Sequence, residues 1–480
     1  MASARKRFSV AQVLQQLSDD EYFDDTDSDR DSLYQLGDVE PRDSDSGESV
    51  ETELYDYDVR DSDSDTDAGH SAAAAAISPQ ASTLSADLWD HVADGYIPPV
   101  DFPYADTPGL APFVNLTADS HPVEFVNLFL TDDVLSLLVT ETNRFAEQFI
   151  SNSRLKPKAR AHSWHPTDQA EMKKFLGLLL LMGVVKKPRV EDFWSTDLAI
   201  ATPAFNNTMI RDRFEFLLKF WHFCNNDEQV ERDRLFKLRN ICDLLISQFQ
   251  SVYTPEKEVS IDESMVLRHG RLIFRQYIPG KRHKYGVKLY LLCETSGYVW
   301  NMLVYCGKMD PMAGFGHAES VVLKLMASRL DKGHMLFIDN FYTSVPLAKT
   351  LLEKKTYVCG TVRRNRKNLP EAVISSKFQK GETAARKNGN TVVLKWQDKR
   401  EVLMLSTAHA GHMIEGTKRN RRGEQIKKPD CVFAYNAHMC GVDRLDQLLS
   451  YYSPLRKTLK WYRKVVLQVF DMAISNAFLL

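Results

Sequence analysis

The chain has 480 residues, a formal net charge of −3 and seven cysteines. Its length allows two or three domains, and its longest apolar run, at 175–185, is shorter than the roughly 20 residues that a membrane span requires. The cysteines include no C-x-x-C pair, so zinc-finger spacing is excluded. Their odd number, without a signal-peptide pattern, favours a reducing intracellular compartment.

The charge is divided unevenly along the chain. Residues 1–70 carry 21 Asp and Glu against 6 Lys and Arg, so the remainder carries a net charge of +12. Residues 1–85 are rich in Ser and Asp and are expected to be a disordered acidic tail. Acidic residues follow three positions after Ser18, Ser28 and Ser62, a pattern that suits an acidophilic kinase, although a solubilising tail explains it equally well. The basic body indicates a polyanion partner such as nucleic acid, or a surface that is basic by chance.

The next two segments differ in their apolar spacing. Residues 86–120 are Pro-rich and predict an extended linker laid over the folded body. Residues 121–257 repeat apolar side chains every three or four positions, which predicts an all-helical domain. Within it, Thr167 or Asp168 is expected to cap the helix that contains the apolar run 175–185.

From residue 258 the pattern changes to short strands. The stretches EVSIDESMV, LIFRQYI, VKLYLLCE and YVWNMLVYC predict strands, and a helix at 319–330 precedes a strand at 334–339. The result is a mixed sheet with flanking helices, of the α+β or α/β class. Residues 364–429 are polar and basic and are interpreted as an insertion, whereas 430–480 return to helical spacing.

Three aspartates share a context that suits metal chemistry. Asp262 lies within a strand-like run, Asp339 ends the strand in FIDNFYTS, and Asp443 enters a helix in GVDRLDQ. Carboxylates at the ends of sheet elements can hold Mg²⁺, and two such ions support in-line phosphoryl transfer. The alternatives are structural, since Asp339 could cap the following helix and Asp262 could be a surface strand residue.

Basic and aromatic residues suggest contacts with nucleic acid. Lys281, Arg282 and Lys284 form a cluster that could bind phosphate or could be a solvated loop. Trp461 lies among cations and could stack on an unpaired base or pack in a helix interface. The sequence KRNRR at 418–422 could be a nuclear import signal or a charged hairpin tip.

Long motifs resemble the piggyBac transposase family over residues 121–480. They are SIDESMVLRHGRLIFRQYIPGKRHKYGVKLYLLCETSGYVWNMLVY, FIDNFYTS, GTVRRNRKNLP and YNAHMCGVDRLDQ. The resemblance implies an RNase H-like catalytic core with an inserted basic domain, preceded by the helical domain and the acidic tail. It divides the body into a helical dimerisation and DNA-binding domain (121–257), a first core part (258–363), an insertion (364–429) and a second core part (430–480).

The same resemblance implies an activity and its residues. Asp262, Asp339 and Asp443 match the family's DDD triad, which binds two Mg²⁺ or Mn²⁺ ions, and Asp446 is a nearby helper carboxylate. Arg363 and Arg366 match basic positions that contact DNA. The implied reaction is cleavage and strand transfer at TTAA sites through hairpin intermediates, by a nuclear homodimer acting on double-stranded DNA.

One feature of the family pattern is missing. Family members usually end in a cysteine-rich zinc-binding domain, and no cysteine pair occurs in the last 40 residues, which led to the expectation of a shortened chain. A catalytically silent, transposase-derived DNA-binding or chromatin protein is therefore the alternative. A metal-dependent phosphoesterase with another substrate is a third reading.

Overall fold

The structure is a computed structural model that describes residues 89–480 except for 94, 99–100, 153–158, 230–232, 280, 282, 308–315, 420–422, 424, 457 and 459. The predicted acidic tail, with Ser18, Ser28 and Ser62, lies outside the described residues.

Helices dominate the region between residues 122 and 252. They are α1 (Pro122–Asn127), α2 (Asp132–Asn152), α3 (Gln169–Val184), α4 (Pro203–Thr208), α5 (Arg211–Phe220) and α6 (Phe236–Val252). All but the last residue of the apolar run 175–185 lies in α3, so the predicted helix is confirmed. Asp168 is its cap, because its Oδ1 accepts a hydrogen bond from the Glu171 amide at 2.8 Å.

A ten-stranded sheet forms the centre of the molecule. Its strands are β1 (Asp90–His91), β4 (Glu258–Leu267), β5 (Gln276–Tyr277), β6 (Tyr285–Glu294), β7 (Val299–Val304), β8 (Met335–Ile338), β9 (Tyr357–Thr361), β10 (Thr383–Asn388), β11 (Thr391–Gln397) and β12 (Glu401–Ser406). The strand order is β1-β10-β11-β12-β9-β8-β4-β6-β5, and β7 also pairs with β6. Strands β8 and β9 run parallel to β4, whereas β6 and β7 form an antiparallel meander with it.

Two short antiparallel strand pairs and six more α-helices lie outside these elements. One pair joins β2 (Gly109–Leu110) to β3 (Tyr253–Thr254), and the other joins β13 (Met413–Arg419) to β14 (Gln425–Pro429). The helices are α7 (His317–Met326), α8 (Val345–Glu353), α9 (Glu371–Ile374), α10 (Asp430–His438), α11 (Gly441–Tyr451) and α12 (Trp461–Leu479).

The two faces of the sheet are covered by different helices. In β8, Leu336 and Ile338 join the main core, which also contains the helical region and α12. Met335 and Phe337 point to the other face, where they form a smaller core with residues of α10. Successive strand residues alternate between faces, so four consecutive apolar residues are all buried. This explains why β8 is an uninterrupted apolar run in the sequence.

The Pro-rich segment lies on the folded body as an extended strap. The Phe102 amide donates to the Tyr357 hydroxyl at 2.6 Å, and the Tyr104 hydroxyl donates to the Pro255 carbonyl. Asp106 pairs with Arg329 and Lys332. The strap therefore holds the ends of β8 and β9 that lie away from Asp339.

Two segments differ in detail from the sequence expectation. The longer strand predicted at 272–278 reduces to β5, because the Arg275 amide donates to the Leu272 carbonyl and turns the chain. Residues 364–429, interpreted as an insertion, contribute β10, β11 and β12 to the same sheet through the antiparallel pairing of β12 with β9.

Candidate metal centre

Parallel pairing of β4 with β8 brings Asp262 and Asp339 together. Ile261 is the register partner of Ile338, and each is followed directly by an aspartate. Residues that follow paired positions in parallel strands point to the same face of the sheet. The two carboxylates therefore converge at the point where β8 ends, although 77 residues separate them in the sequence.

Glu263 joins this pair from the next position of β4. One ligand oxygen from each of Asp262, Glu263 and Asp339 lies within 4.8 Å of the others. Neighbouring strand residues normally point to opposite faces. Here β8 stops at Ile338, and the Glu263 carboxylate meets the two aspartates beyond that strand end.

A buried hydroxyl also lies near the carboxylates. Tyr342 is 1% exposed, and its hydroxyl has no hydrogen-bond partner among the described residues. Burial raises the pKa of Tyr342 well above its ordinary value, and the Glu263, Asp339 and Asp262 carboxylates raise it further. A buried polar group without a partner is costly, and a hydrated cation held by the three carboxylates would supply one. The hard oxygen donors and this hydroxyl fit Mg²⁺ or Mn²⁺.

Two lysines balance part of the negative charge. The Lys281 Nζ lies 3.1 Å from Asp262 Oδ2 and 3.7 Å from Asp443 Oδ1. The Lys288 Nζ lies 3.1 Å from Glu263 Oε1. Lys288 is the cross-strand partner of Met265, two residues beyond Glu263, so its side chain lies on the Glu263 face.

Helix α11 carries the other two predicted carboxylates. Asp443 is mostly exposed and reaches the cluster through Lys281, whereas Asp446 accepts a 2.5 Å hydrogen bond from Ser264 Oγ. The helix comes close because Gly441 has no side chain. A Cβ there would lie 2.5 Å from the Glu294 carbonyl oxygen and 2.8 Å from Ser260 Oγ.

The carboxylates respond differently to their surroundings. Burial raises the pKa of Asp262, but the Lys281 ammonium and hydrogen bonds from Glu263 together outweigh burial and leave that pKa below its ordinary value. Burial raises the pKa of Asp339 well above its ordinary value, and the Glu263 and Asp262 carboxylates add to the effect. Burial also raises the pKa of Asp446 to about 6, against the opposing effect of Lys281. Crowded carboxylates of this kind are typical of functional sites.

The loop after Asp339 is fixed independently of the carboxylate. Ser344 caps α8 by accepting a hydrogen bond from the Leu347 amide, so Asp339 does not serve as that cap. Asp339 Oδ1 accepts a hydrogen bond from the Phe341 amide at 2.9 Å.

Arg363 and Arg366 contact the same loop. The Arg363 Nε donates to Asn340 Oδ1 at 3.0 Å, and Arg366 donates to the carbonyl oxygens of Asn340 and Phe341. Both guanidinium groups therefore lie beside the carboxylate cluster, where they hold the loop that positions Asp339.

The other predicted contact residues are more scattered. Lys284 is exposed at the start of β6, and Arg282 lies outside the described residues. Trp461 packs edge-on against Phe274 with ring centroids 5.1 Å apart, which favours a packing role. Most of the KRNRR stretch lies outside the part of the chain that is described.

Glu263, Lys288, Ser264 and Tyr342 are site residues that the sequence reading missed. Glu263 follows Asp262 directly, and this pair of acids inside an apolar strand was the available signal. The lysine and the tyrosine carry no local signal, because their roles depend on strand pairing.

Within the described residues, no helix is long and apolar enough to cross a membrane.

Known proteins are similar to most of the chain. The family model described as Transposase IS4 matches residues 121–478. Human PiggyBac transposable element-derived protein 3 is 28% identical over 370 residues, and human PiggyBac transposable element-derived protein 2 is 28% identical over 372. Each match covers 74% of this chain and 60% of the relative, so the chain spans about 60% of the length of these curated relatives.

A solved structure is also similar. It is a cryo-EM structure of a piggyBac transposase synaptic complex with hairpin DNA, at 29% identity and a TM-score of 0.68. The match covers 78% of this chain and 77% of the other. The shared architecture therefore extends well beyond the strands that carry the carboxylates.

Proposed function

The chain belongs to the Transposase IS4 family, in its piggyBac type, and from that premise we propose that it cuts and joins DNA strands with a carboxylate-held divalent metal centre. The observation that carries the proposal is the convergence of Asp262 and Asp339 at the end of β8, with Glu263 and the Tyr342 hydroxyl beside them. The order β7-β6-β4-β8-β9, in which three strands form an antiparallel meander and β8 and β9 run parallel to β4, supports an RNase H-like core.

Each carboxylate of the site is assigned its own role in this proposal. Asp262, Asp339 and Asp443, the proposed triad, would hold the ions, and Glu263 would contribute a further oxygen. Two bound Mg²⁺ ions would supply Lewis-acid stabilisation of a phosphodiester and lower the pKa of an attacking water. Asp446, fixed by Ser264, would act as a helper carboxylate near Lys281.

The surrounding cations support a phosphate-bearing substrate. Lys281 and Lys284 lie on the turn between β5 and β6, and Arg363 and Arg366 lie on the other side of the carboxylate cluster. A duplex crossing the end of the sheet could contact both groups through its phosphates. Cleavage at TTAA, hairpin intermediates, a homodimer, nuclear location and the domain roles given above belong to this proposal through the family resemblance.

Strand cleavage tests the proposal directly. The full chain is incubated with a TTAA-flanked duplex and Mg²⁺ or Mn²⁺, and nicked and hairpin products are resolved on denaturing gels. We expect metal-dependent nicking that the Asp339→Ala variant lacks. Nicking that survives Asp339→Ala, or none from the wild type, contradicts the proposal.

A non-enzymatic DNA-binding role is the second candidate. The observation that favours it is that the chain resembles human proteins named as transposable element-derived. Gel-shift titrations at several salt concentrations separate the two candidates. Salt-dependent affinity that is unchanged in Asp339→Ala, without cleavage, supports binding alone, whereas affinity without a salt slope argues against phosphate contacts.

A further inference from the structure

Lys281 occupies a position that a metal ion would also favour. Its ammonium lies between the carboxylates of Asp262 and Asp443, and its side chain is only 20% exposed. Two of the three proposed triad carboxylates are therefore joined by a cation that belongs to the chain itself. A lysine whose function was only to contact DNA would be expected to point outward.

The two lysines of the site differ in how they are held. Lys288 lies within β6, the strand that pairs with β4, so its backbone is fixed on both sides of the ion pair with Glu263. Lys281 lies in the turn after β5, a two-residue strand at the edge of the sheet. The turn is held by hydrogen bonds between Ile278 and Lys284 and between Lys281 and Ile278. The Lys281 side chain can thus move away from the carboxylates without breaking a long run of hydrogen bonds between strands.

The charges of the cluster explain why a bound divalent ion and the Lys281 ammonium would exclude each other. Asp262, Asp443, Asp446 and Glu263 all act on Lys281, and Asp262 and Glu263 also converge with Asp339, so the carboxylates of the cluster outnumber its two lysines. A divalent ion bound to Asp262 would lie near the Lys281 Nζ, which is 3.1 Å from Asp262 Oδ2. Repulsion between the two cations in this partly buried site is strong.

We propose that Lys281 is a stand-in cation: its ammonium neutralises Asp262 and Asp443 until a divalent ion binds there, and the ion displaces it. This inference rests on the proposed function, because it assumes that these carboxylates are metal ligands. Displacement would move the ammonium toward Lys284 at the exposed turn, where a DNA phosphate can bind it. Metal binding would then prepare the DNA contact as well as the catalytic centre.

Metal affinity tests the competition. Mn²⁺ binding to the full chain is followed by electron paramagnetic resonance for the wild type and for Lys281→Met. We expect the variant to bind Mn²⁺ at least about tenfold more tightly, because a competing positive charge is gone. Equal or weaker binding would overturn the inference. It would mean that Lys281 has no effect on ion binding, or that it positions Asp262 for the ion.

Lys395→Met is the matched control. Lys395 is 2% exposed and pairs with Glu401 at 2.9 Å on β11, away from the carboxylate cluster. Its removal changes the net charge by the same amount, so we expect no change in Mn²⁺ affinity. Equal tightening in both variants would overturn the inference, because a general charge effect would explain it.

A measurement on the wild type avoids any folding defect of the variant. Lysines are labelled by reductive methylation with and without saturating Mn²⁺ and quantified by mass spectrometry. We expect Lys281 to become several-fold more reactive with Mn²⁺, while Lys288 stays protected. Unchanged protection of Lys281 under Mn²⁺ saturation would overturn the inference.

The outcomes also separate this inference from the proposed function. If Mn²⁺ binds but Lys281→Met does not tighten it, only the stand-in role fails. If the variant tightens Mn²⁺ and no DNA is cleaved, only the enzymatic proposal fails. If no Mn²⁺ binds to any form, both fail.

Discussion

Two buried carboxylate environments in this protein differ in the charges around them. The cluster at the end of β8 contains three converging carboxylates, two lysines and a tyrosine hydroxyl without a hydrogen-bond partner among the described residues. Asp471, in the middle of α12, is 8% exposed, and its Oδ2 has no hydrogen-bond partner in the described part of the chain. Burial raises the pKa of Asp471 to about 7, against the opposing Lys186. In the cluster burial also raises the pKa of Asp339, whereas Lys281 and hydrogen bonds from Glu263 together leave the pKa of Asp262 below its ordinary value.

The comparison shows that burial alone does not make a metal site. At Asp471 a single carboxylate in an apolar helix interface has its pKa raised by burial, which Lys186 opposes only in part. At the end of β8, several carboxylates point to one place and cations contact them directly. Convergence and compensating charge therefore distinguish a candidate metal centre from a carboxylate that is merely buried.

The largest expected difference concerns DNA cleavage. We expect Asp339→Ala to lower metal-dependent cleavage by roughly 10³-fold or more, because the ions supply several kcal/mol of transition-state stabilisation. Asp471→Asn, measured in the same assay at the same pH, should leave the rate within about twofold of the wild type. Comparable losses in both variants would remove the distinction between the two environments.

The next largest effect concerns stability and pH. The folded-state pKa of Asp471, about 7, lies above its unfolded value, so the folded chain holds the extra proton at low pH. The free energy of unfolding should therefore fall as pH rises from about 4 to 7. Asp471→Asn should reduce this slope, to which Asp339 and Asp446 also contribute because their pKa values are raised in the same direction, and should stabilise the chain by on the order of 2 kcal/mol at pH 8.

Urea unfolding at pH 5 and pH 8 measures this effect. Asp101→Asn, at an exposed position, is the control and should leave the pH dependence as in the wild type. A wild-type slope that persists in Asp471→Asn would show that another group carries it.

A smaller effect, on Mn²⁺ affinity, tests whether Glu263 belongs to the metal-binding cluster. Glu263→Gln keeps the shape of the side chain but removes one anionic ligand, so we expect Mn²⁺ affinity to fall by about tenfold. Isothermal titration calorimetry of the full chain measures the change. Glu294→Gln is the control, because Glu294 is a buried carboxylate on β6 that accepts hydrogen bonds from Tyr253 and the Glu256 amide. A loss of affinity in the control alone would assign the ion to the wrong carboxylates.

The smallest expected effect comes from the support of Asp446. Ser264→Ala removes the 2.5 Å hydrogen bond to Asp446, and we expect a loss of about 1 kcal/mol in the free energy of unfolding at pH 7. Ser375→Ala should cost less, since that exposed hydroxyl bonds only within its own helix end. Equal losses in the two variants would show that Ser264 gives α11 no special support.

Local sequence patterns predicted the parts of the site that depend on single elements. An apolar strand ending on Asp339 could be read from the residues alone, whereas the residues left open whether Asp339 caps the following helix. The helix that carries Asp443 and Asp446 could also be read from the residues. The family resemblance then linked these segments, which sequence separation alone could not do.

The missed parts depend on how distant elements meet. Glu263 was overlooked because strand alternation directs it away from Asp262, and its convergence depends on where β8 ends. The contact of Lys281 with Asp262 and Asp443 depends on how the turn after β5 folds back. The pairing of β12 with β9 was equally hidden, because a period-two pattern predicts a strand without identifying its neighbour.

The pairing of Ile261 with Ile338 also limits how the gene can change. Deleting or inserting one residue within β8 would preserve its apolar composition but rotate Asp339 to the opposite face of the sheet. Point substitutions among Met335–Ile338 that keep the volume would be tolerated far better than such length changes. In a mutational scan, insertions and deletions here should therefore abolish cleavage in variants that still fold. Selection would therefore conserve the length of β8 before Asp339 more strictly than the identity of its residues.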